Sequence, residues 1–195
     1  MSKARAKKVK LLVLDVDGVM TDGTIFLFPS MPGSQKGGSA SDTVVEAKGF
    51  NAHDGTAMSL ARLGGIKIGL ITKRQSETVR LRARDLKIEH VYQEADNKLA
   101  CFREMLQKEN LTADQAAYVG DDLVDLPVMR QVGLAIAVAN AREDVKDESH
   151  VITDHRGGDG AVRDAVEYIL KAQGTYDKCV NSYISSLTPA EKKQQ

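Results

Sequence analysis

Short apolar runs alternate along this chain with longer segments whose apolar residues recur at helical spacing. Val9–Leu14, Ile66–Ile71, Ala116–Val119 and Leu134–Val138 are four to six residues long, and the first three run directly into Asp15, Thr72 and Gly120, the signature of buried strands. Between them Gly55–Leu63, Ser76–Leu86, Asn97–Asn110 and Leu123–Gln131 carry apolar residues on one face and charges on the other, as amphipathic helices do. Strand–helix–strand repetition of this kind predicts an α/β fold: a parallel sheet between two helical layers. His90–Tyr92 and His150–Ile152 read as short edge strands, and Asp159–Ala172 as a last helix stopped by Gly174.

One section breaks the alternation. Thr24–Phe28 and Thr43–Ala47 are β-type runs joined by Pro29–Asp42, which is rich in Pro, Gly and Ser. They predict a β-hairpin flap over about 24–48 with a long tip. Tyr176, Val180, Tyr183, Ile184 and Leu187 would line one helical face in the polar tail 175–195, and Glu191–Gln195 is expected to be disordered.

At 195 residues, with 42% apolar and 28% charged, the chain suits one globular domain, placed at 1–174. Lys plus Arg and Asp plus Glu are 27 each, so no global field points to nucleic acid or membrane. The basic cluster Lys3, Arg5, Lys7, Lys8 and Lys10 reads as a solvated, frayed terminus. Two distant cysteines suggest neither a disulfide framework nor a zinc knuckle and fit a cytoplasmic location.

The chemistry begins at Leu11-Leu12-Val13-Leu14-Asp15-Val16-Asp17-Gly18, an apolar run ending in two aspartates two apart. In extended chain such carboxylates project together from the C-terminal end of a strand, the edge where open parallel sheets bind ligands. Two like charges so close favour a cation between them. Thr72 ends another strand, Asp121 and Asp122 come after a third, Asp125 comes one turn later, and Lys98 opens a helix after Asp96. Each has an ordinary reading as a cap or a solvated charge. Together they form a phosphoryl-transfer site: carboxylates for a hard cation, an ammonium and a hydroxyl for phosphoryl oxygens, and a carboxylate nucleophile.

The motif Asp15-Val16-Asp17-Gly18-Val19 with Thr21-Asp22-Gly23, then Thr72, Lys98 and Gly120-Asp121-Asp122-x-x-Asp125 in order, resembles the haloacid dehalogenase superfamily. Within it, Asn51-Ala52-His53-Asp54-Gly55, Ile71-Thr72-Lys73-Arg74-Gln75-Ser76 and Gly158-Asp159-Gly160-Ala161-Val162-Arg163 resemble the 3-deoxy-D-manno-octulosonate 8-phosphate (KDO 8-phosphate) phosphatases. The resemblance implies a three-layer Rossmann-like sheet without a large cap domain, and a magnesium-dependent phosphatase working through an aspartyl-phosphate in lipopolysaccharide precursor synthesis. It implies Asp15 as nucleophile, Asp17 as acid and base, and Thr72 and Lys98 on the phosphate. Magnesium would be held by Asp15, the Asp17 carbonyl and Asp121, with Asp122 and Asp125 supporting. Substrate contacts are expected from Arg74, Asn51, His53, Asp54, Gly55 and Lys73. Lys73 and His53 depart from the subgroup's usual glycine and arginine. The resemblance further implies a homotetramer, in which the hairpin of one subunit closes a neighbour's site; the tail 175–195 is expected to be partly disordered or docked on a neighbouring subunit.

A nonulosonate 9-phosphate of the sialic-acid type is the alternative substrate. Two other classes compete. A receiver-type phosphoacceptor domain uses similar groups but in another order, and a non-catalytic oligomerisation module would not need intact Asp15, Asp17, Thr72, Lys98 and Asp121. Nothing resembles a nucleic-acid-binding surface; aromatics are only 5%.

Overall fold

The computed structural model describes residues 2–29 and 44–187. The flap tip at 30–43 and the end of the tail at 188–195, with the disorder expected there, lie outside the described residues. Six parallel strands form the central sheet: β1 (Leu11–Leu14), β4 (Lys67–Ile71), β5 (His90–Tyr92), β6 (Ala116–Gly120), β7 (Leu134–Ala137) and β8 (Val151–Ile152). Their spatial order is β5-β4-β1-β6-β7-β8. The chain therefore winds outward from β1 in one direction and then, from β6, in the other. That reversal is the topological switch point of a Rossmann-like sheet, and it opens a crevice at the C-terminal ends of β1 and β6. Leu14 is in register with Val119 on one side and Leu70 on the other, so Asp15, Gly120 and Ile71 reach the edge at one level.

All four residues of β1 are fully buried, as a strand covered on both faces requires. Around the sheet lie α2 (Ala52–Leu63), α3 (Glu77–Asp85), α4 (Lys98–Glu109), α5 (Leu126–Met129), α6 (Glu143–Asp147), α7 (Ala161–Gln173) and α8 (Tyr176–Leu187). Helix α2 packs on α7 and α8, whereas α4 packs on α5 and β4. In α8, Cys179 is buried and Tyr176, Val180 and Tyr183 lie against the core, while Leu187 is exposed. The hairpin pairs β2 (Phe26–Pro29) with β3 (Val44–Ala47) as a separate antiparallel ribbon, with Phe26 opposite Ala47.

Three local expectations change. The segment 123–131 is not one helix: a 3-10 turn, Leu123–Asp125, precedes the short α5, because Asp122 and Asp125 cap the turn and Pro127 sits at the start of α5. The last helix starts at Ala161, after Gly160 at φ 107°. The basic terminus is not frayed: α1 (Ser2–Ala6) is docked, with Ala6 buried and the Arg5 guanidinium donating to the Gly133 carbonyl at 2.8 Å. The Gln173 amide, 164 residues away in sequence, also donates to the Val9 carbonyl at 2.8 Å.

Candidate active site

Three carboxylates, Asp15, Asp121 and Asp125, bring oxygens within 4.8 Å of one another at the switch point. Asp15 comes directly after β1, where its main-chain N–H donates to the Val119 carbonyl at 3.1 Å and extends the ladder by one residue. Its Oδ1 accepts the Val16 N–H at 2.7 Å and lies 2.8 Å from Lys98 Nζ. Lys98 is the first residue of α4, behind the cap Asn97, and is almost entirely buried. Its ammonium also donates to Asp125 at 2.8 Å. Burial alone would push the Lys98 ammonium down, but the Asp15 and Asp125 charges outweigh it and hold its pKa above the ordinary 10.5.

Asp125 is fully buried and has every bond it can use. Oδ1 accepts Lys98 and the Tyr118 hydroxyl, the latter at 2.7 Å, while Oδ2 accepts the main-chain N–H groups of Asp121 at 2.9 Å and Asp122 at 3.2 Å. It thereby fixes the backbone that carries Asp121. Asp121 itself has no cationic or hydrogen-bonding partner on its carboxylate among the described residues. Gly18, at φ +90°, brings its backbone so close that a Cβ there would lie 2.1 Å from Asp121 Oδ2. Asp122 is exposed and its carboxylate caps the next turn at the Leu123 N–H.

Burial first, then the Asp125 charge, push the Asp15 carboxyl from an ordinary 3.8 up to about 7. Burial and the Asp15 charge push Asp121 up to about 7 as well. Among the described residues Lys98 is the only ammonium paired with this cluster, through Asp15 and Asp125, so two negative charges stay uncompensated when all three carboxylates are ionised. An all-oxygen cluster of that charge fits a hard divalent cation.

Asp17 does not project beside Asp15 as an extended chain would place it. The backbone leaves the strand after Leu14 and turns at once, with the Met20 and Thr21 N–H groups both donating to the Val16 carbonyl. The Asp17 carboxylate instead meets Lys48 Nζ at 2.5 Å, just past the hairpin, and Arg74 Nε at 4.0 Å. Thr72 is buried at the end of β4, its hydroxyl accepting the Arg74 N–H at 3.3 Å. The cap of α3 is Ser76, so Thr72 has no capping duty.

The remaining sequence candidates are not brought to the cluster. Asn51 caps α2 by accepting the His53 N–H at 2.7 Å. Asp54 is buried and accepts the Arg163 N–H at 2.8 Å, tying α2 to the first turn of α7. Gly55 admits the Arg82 guanidinium, while His53 and Lys73 are exposed. Three contributors went unseen in the sequence: Tyr118, hidden inside an apolar run, and Glu46 and Lys48, distant along the chain. Tyr118 alone carried a signal, as the one hydroxyl in a strand otherwise built of Ala, Val and Gly.

Known proteins are similar in sequence and in fold. Residues 60–165 match the haloacid dehalogenase-like hydrolase family. The 3-deoxy-D-manno-octulosonate 8-phosphate phosphatase KdsC of Escherichia coli K12 is 39% identical over 175 residues, which cover 90% of this chain and 86% of that protein. The crystal structure of the Yersinia pestis phosphatase of the same name superposes with a TM-score of 0.80 at 37% identity, covering 90% of this chain and 88% of that one. The Moraxella catarrhalis phosphatase, solved with magnesium, phosphate and KDO, gives 0.81 at 35% identity, covering 95% and 97%. The chain belongs to the KDO 8-phosphate phosphatase family of the haloacid dehalogenase-like hydrolases.

Proposed function

We propose that this protein is a magnesium-dependent phosphatase that hydrolyses 3-deoxy-D-manno-octulosonate 8-phosphate to KDO and phosphate, a step in making lipopolysaccharide precursors. The observation that carries the reading is Asp15, held at the switch point by Lys98 and facing a second carboxylate, Asp121, that lacks a cation. The Moraxella relative, similar over nearly the whole chain, binds magnesium, phosphate and KDO.

Asp15 attacks phosphorus, forming an aspartyl-phosphate while the bond to the sugar oxygen breaks. Asp17 gives that oxygen a proton, then takes one from the water that hydrolyses the aspartyl-phosphate. Lys98 keeps its charge and neutralises phosphoryl oxygen, and the Thr72 hydroxyl donates to another. Asp15, Asp121 and the Asp17 carbonyl hold magnesium, which supplies further positive charge to the phosphoryl group. Asp125 serves as the fixed anchor of Lys98 and Asp121, since its oxygens are already committed. Arg74, exposed beside Asp17, is the substrate-side cation suited to a sugar-acid carboxylate. Asn51, His53, Asp54, Gly55 and Lys73 bear on substrate through the placement of α2 and the β4–α3 loop.

The domain set at 1–174 is extended by α8, which packs on α2 of its own chain rather than on a neighbour, and the enzyme works in the cytoplasm as a homotetramer whose flap meets a neighbouring subunit. Exposed Phe26, Leu27, Phe28, Val44 and Val45 on the ribbon support that assembly. The test is phosphate release, with magnesium, from a panel of sugar phosphates. A strong preference for the eight-carbon acid is expected. Preference for a nonulosonate 9-phosphate would move the substrate, and activity on hexose phosphates alone would refute the assignment.

A further inference from the structure

We propose that Lys48 is a positioning residue for Asp17, through which the hairpin of each chain prepares that chain's own site. The inference rests on the reading of Asp17 as the proton donor.

Lys48 comes directly after β3, and its side chain is fully covered. A lysine with a covered side chain is costly unless its ammonium is paired, and its close partner is Asp17 Oδ1 at 2.5 Å. Asp17 sits in a turn, and among the described residues its carboxylate is held only by Lys48 and, at 4.0 Å, by Arg74. Glu46 completes a ring of alternating charge: its Oε2 lies 3.1 Å from Arg74 Nη2 and its Oε1 3.6 Å from Lys48 Nζ. The Thr78 hydroxyl donates to the Glu46 carbonyl at 3.2 Å, fastening the base of the hairpin to α3. Asp15 is placed by the sheet, but Asp17 is placed by this ring. A displaced hairpin removes the one close bond that orients the proton donor.

A contact that merely held the hairpin down would not discriminate between leaving groups. A sugar alkoxide needs a proton to depart, whereas p-nitrophenolate does not. Single-turnover phosphoryl transfer is therefore measured from the sugar-acid phosphate and from p-nitrophenyl phosphate, with Asp17→Asn alongside. We expect Lys48→Met to slow transfer from the sugar phosphate on the order of 10- to 100-fold, a large part of what general acid catalysis supplies. Transfer from the aryl ester should fall less than about threefold, and Lys48→Arg should recover most of the sugar-phosphate rate. If Lys48→Met does not fold, Lys48→Gln is read in the same way. Equal losses on both esters, no loss, or no recovery with arginine would overturn the proposal. If Asp17→Asn itself leaves the sugar phosphate rate intact, the reading of Asp17 fails; if only the Lys48 variants do, Lys48 alone is wrongly assigned.

Discussion

The carboxylate cluster at the ends of β1 and β6 and the hairpin at 26–47 serve one site but are built in opposite ways. In the cluster, Asp15, Lys98 and Asp125 are each nearly or wholly buried, and parallel strands paired on both sides set the position of Asp15. The hairpin has only its partner strand, and Phe26, Leu27, Phe28, Val44 and Val45 are all about half exposed or more. A two-stranded ribbon by itself is marginally stable in water. Ion pairs at its base, and whatever covers its apolar faces, must hold it. The phosphoryl chemistry is thus written into the core, where misplacing a charge is costly, while proton donation and substrate choice depend on a weakly held element. The cluster can therefore stay constant while the hairpin varies.

The largest effect that separates the two parts is loss of the nucleophile. Asp15→Asn should lower turnover by several orders of magnitude, each tenfold being about 1.4 kcal/mol of barrier. The fold should persist, because the amide oxygen can still accept from Val16 and Lys98. Near-normal phosphate release in this variant would remove Asp15 from the chemistry. Next in size is Asp125→Ala, which leaves the buried Lys98 with half its partners and the Tyr118 hydroxyl with none. Breaking a buried pair from one side costs about 3–5 kcal/mol, readable as a shift in the urea midpoint. A loss below about 1 kcal/mol would mean that the cluster is no more rigid than the hairpin.

A smaller effect comes from withdrawing metal and varying pH. Asp15 and Asp121 are both raised from 3.8 to about 7. Folded carboxyls with raised pKa bind more protons than unfolded ones, so the stability that these two groups contribute is full below about 4 and is lost as pH rises through 7. The melting temperature of metal-free protein should fall across that window, by about 2–4 °C for each kcal/mol lost at this chain size. Magnesium should reverse the fall at pH 8, and Asp121→Asn should flatten the slope. A metal-free melting temperature that rises over the same window would contradict the crowding of these carboxylates.

The legibility of the molecule in its sequence divides along the same line. The inner strands were legible because parallel strands buried on both faces become short apolar runs, and the residue just after each run lands on the ligand edge. Asp15, Thr72 and Asp121 were placed by that rule alone. Asp17 was misplaced by its extension, since the chain turns immediately after β1 and the two-residue alternation stops. Tyr118 resembles any other core residue of an apolar strand, and only its hydroxyl on Asp125 sets it apart. Lys48 and Glu46 could not be read at all, because their partners lie 31 and 28 residues away and meet only when the hairpin folds back. The docked α1 was missed for a similar reason, its anchors being on the β7 approach and on α7.

The smallest expected effect on the single chain falls on the ribbon's outer part, at Leu27, which is 60% exposed. It belongs to β2 and pairs with Glu46, yet its side chain leaves the buried core untouched. Leu27→Ser, which adds no charge opposite Glu46, should therefore shift folding stability by no more than about 0.5 kcal/mol, as surface substitutions usually do. If the ribbon is covered by a second copy of the chain, the same change removes apolar area and buries a hydroxyl in that interface and should weaken assembly strongly. Sedimentation across a concentration series measures the assembly, and urea unfolding measures the chain. A stability loss above about 2 kcal/mol would show that the ribbon packs on its own chain, closing the gap between hairpin and cluster. Unchanged sedimentation would show that the exposed apolar faces are not what joins subunits. The expected pattern, an intact chain with impaired assembly, would mean that the ion pairs at the hairpin's base and the apolar faces further out do separate work: the first orient Asp17, and the second recruit the neighbour.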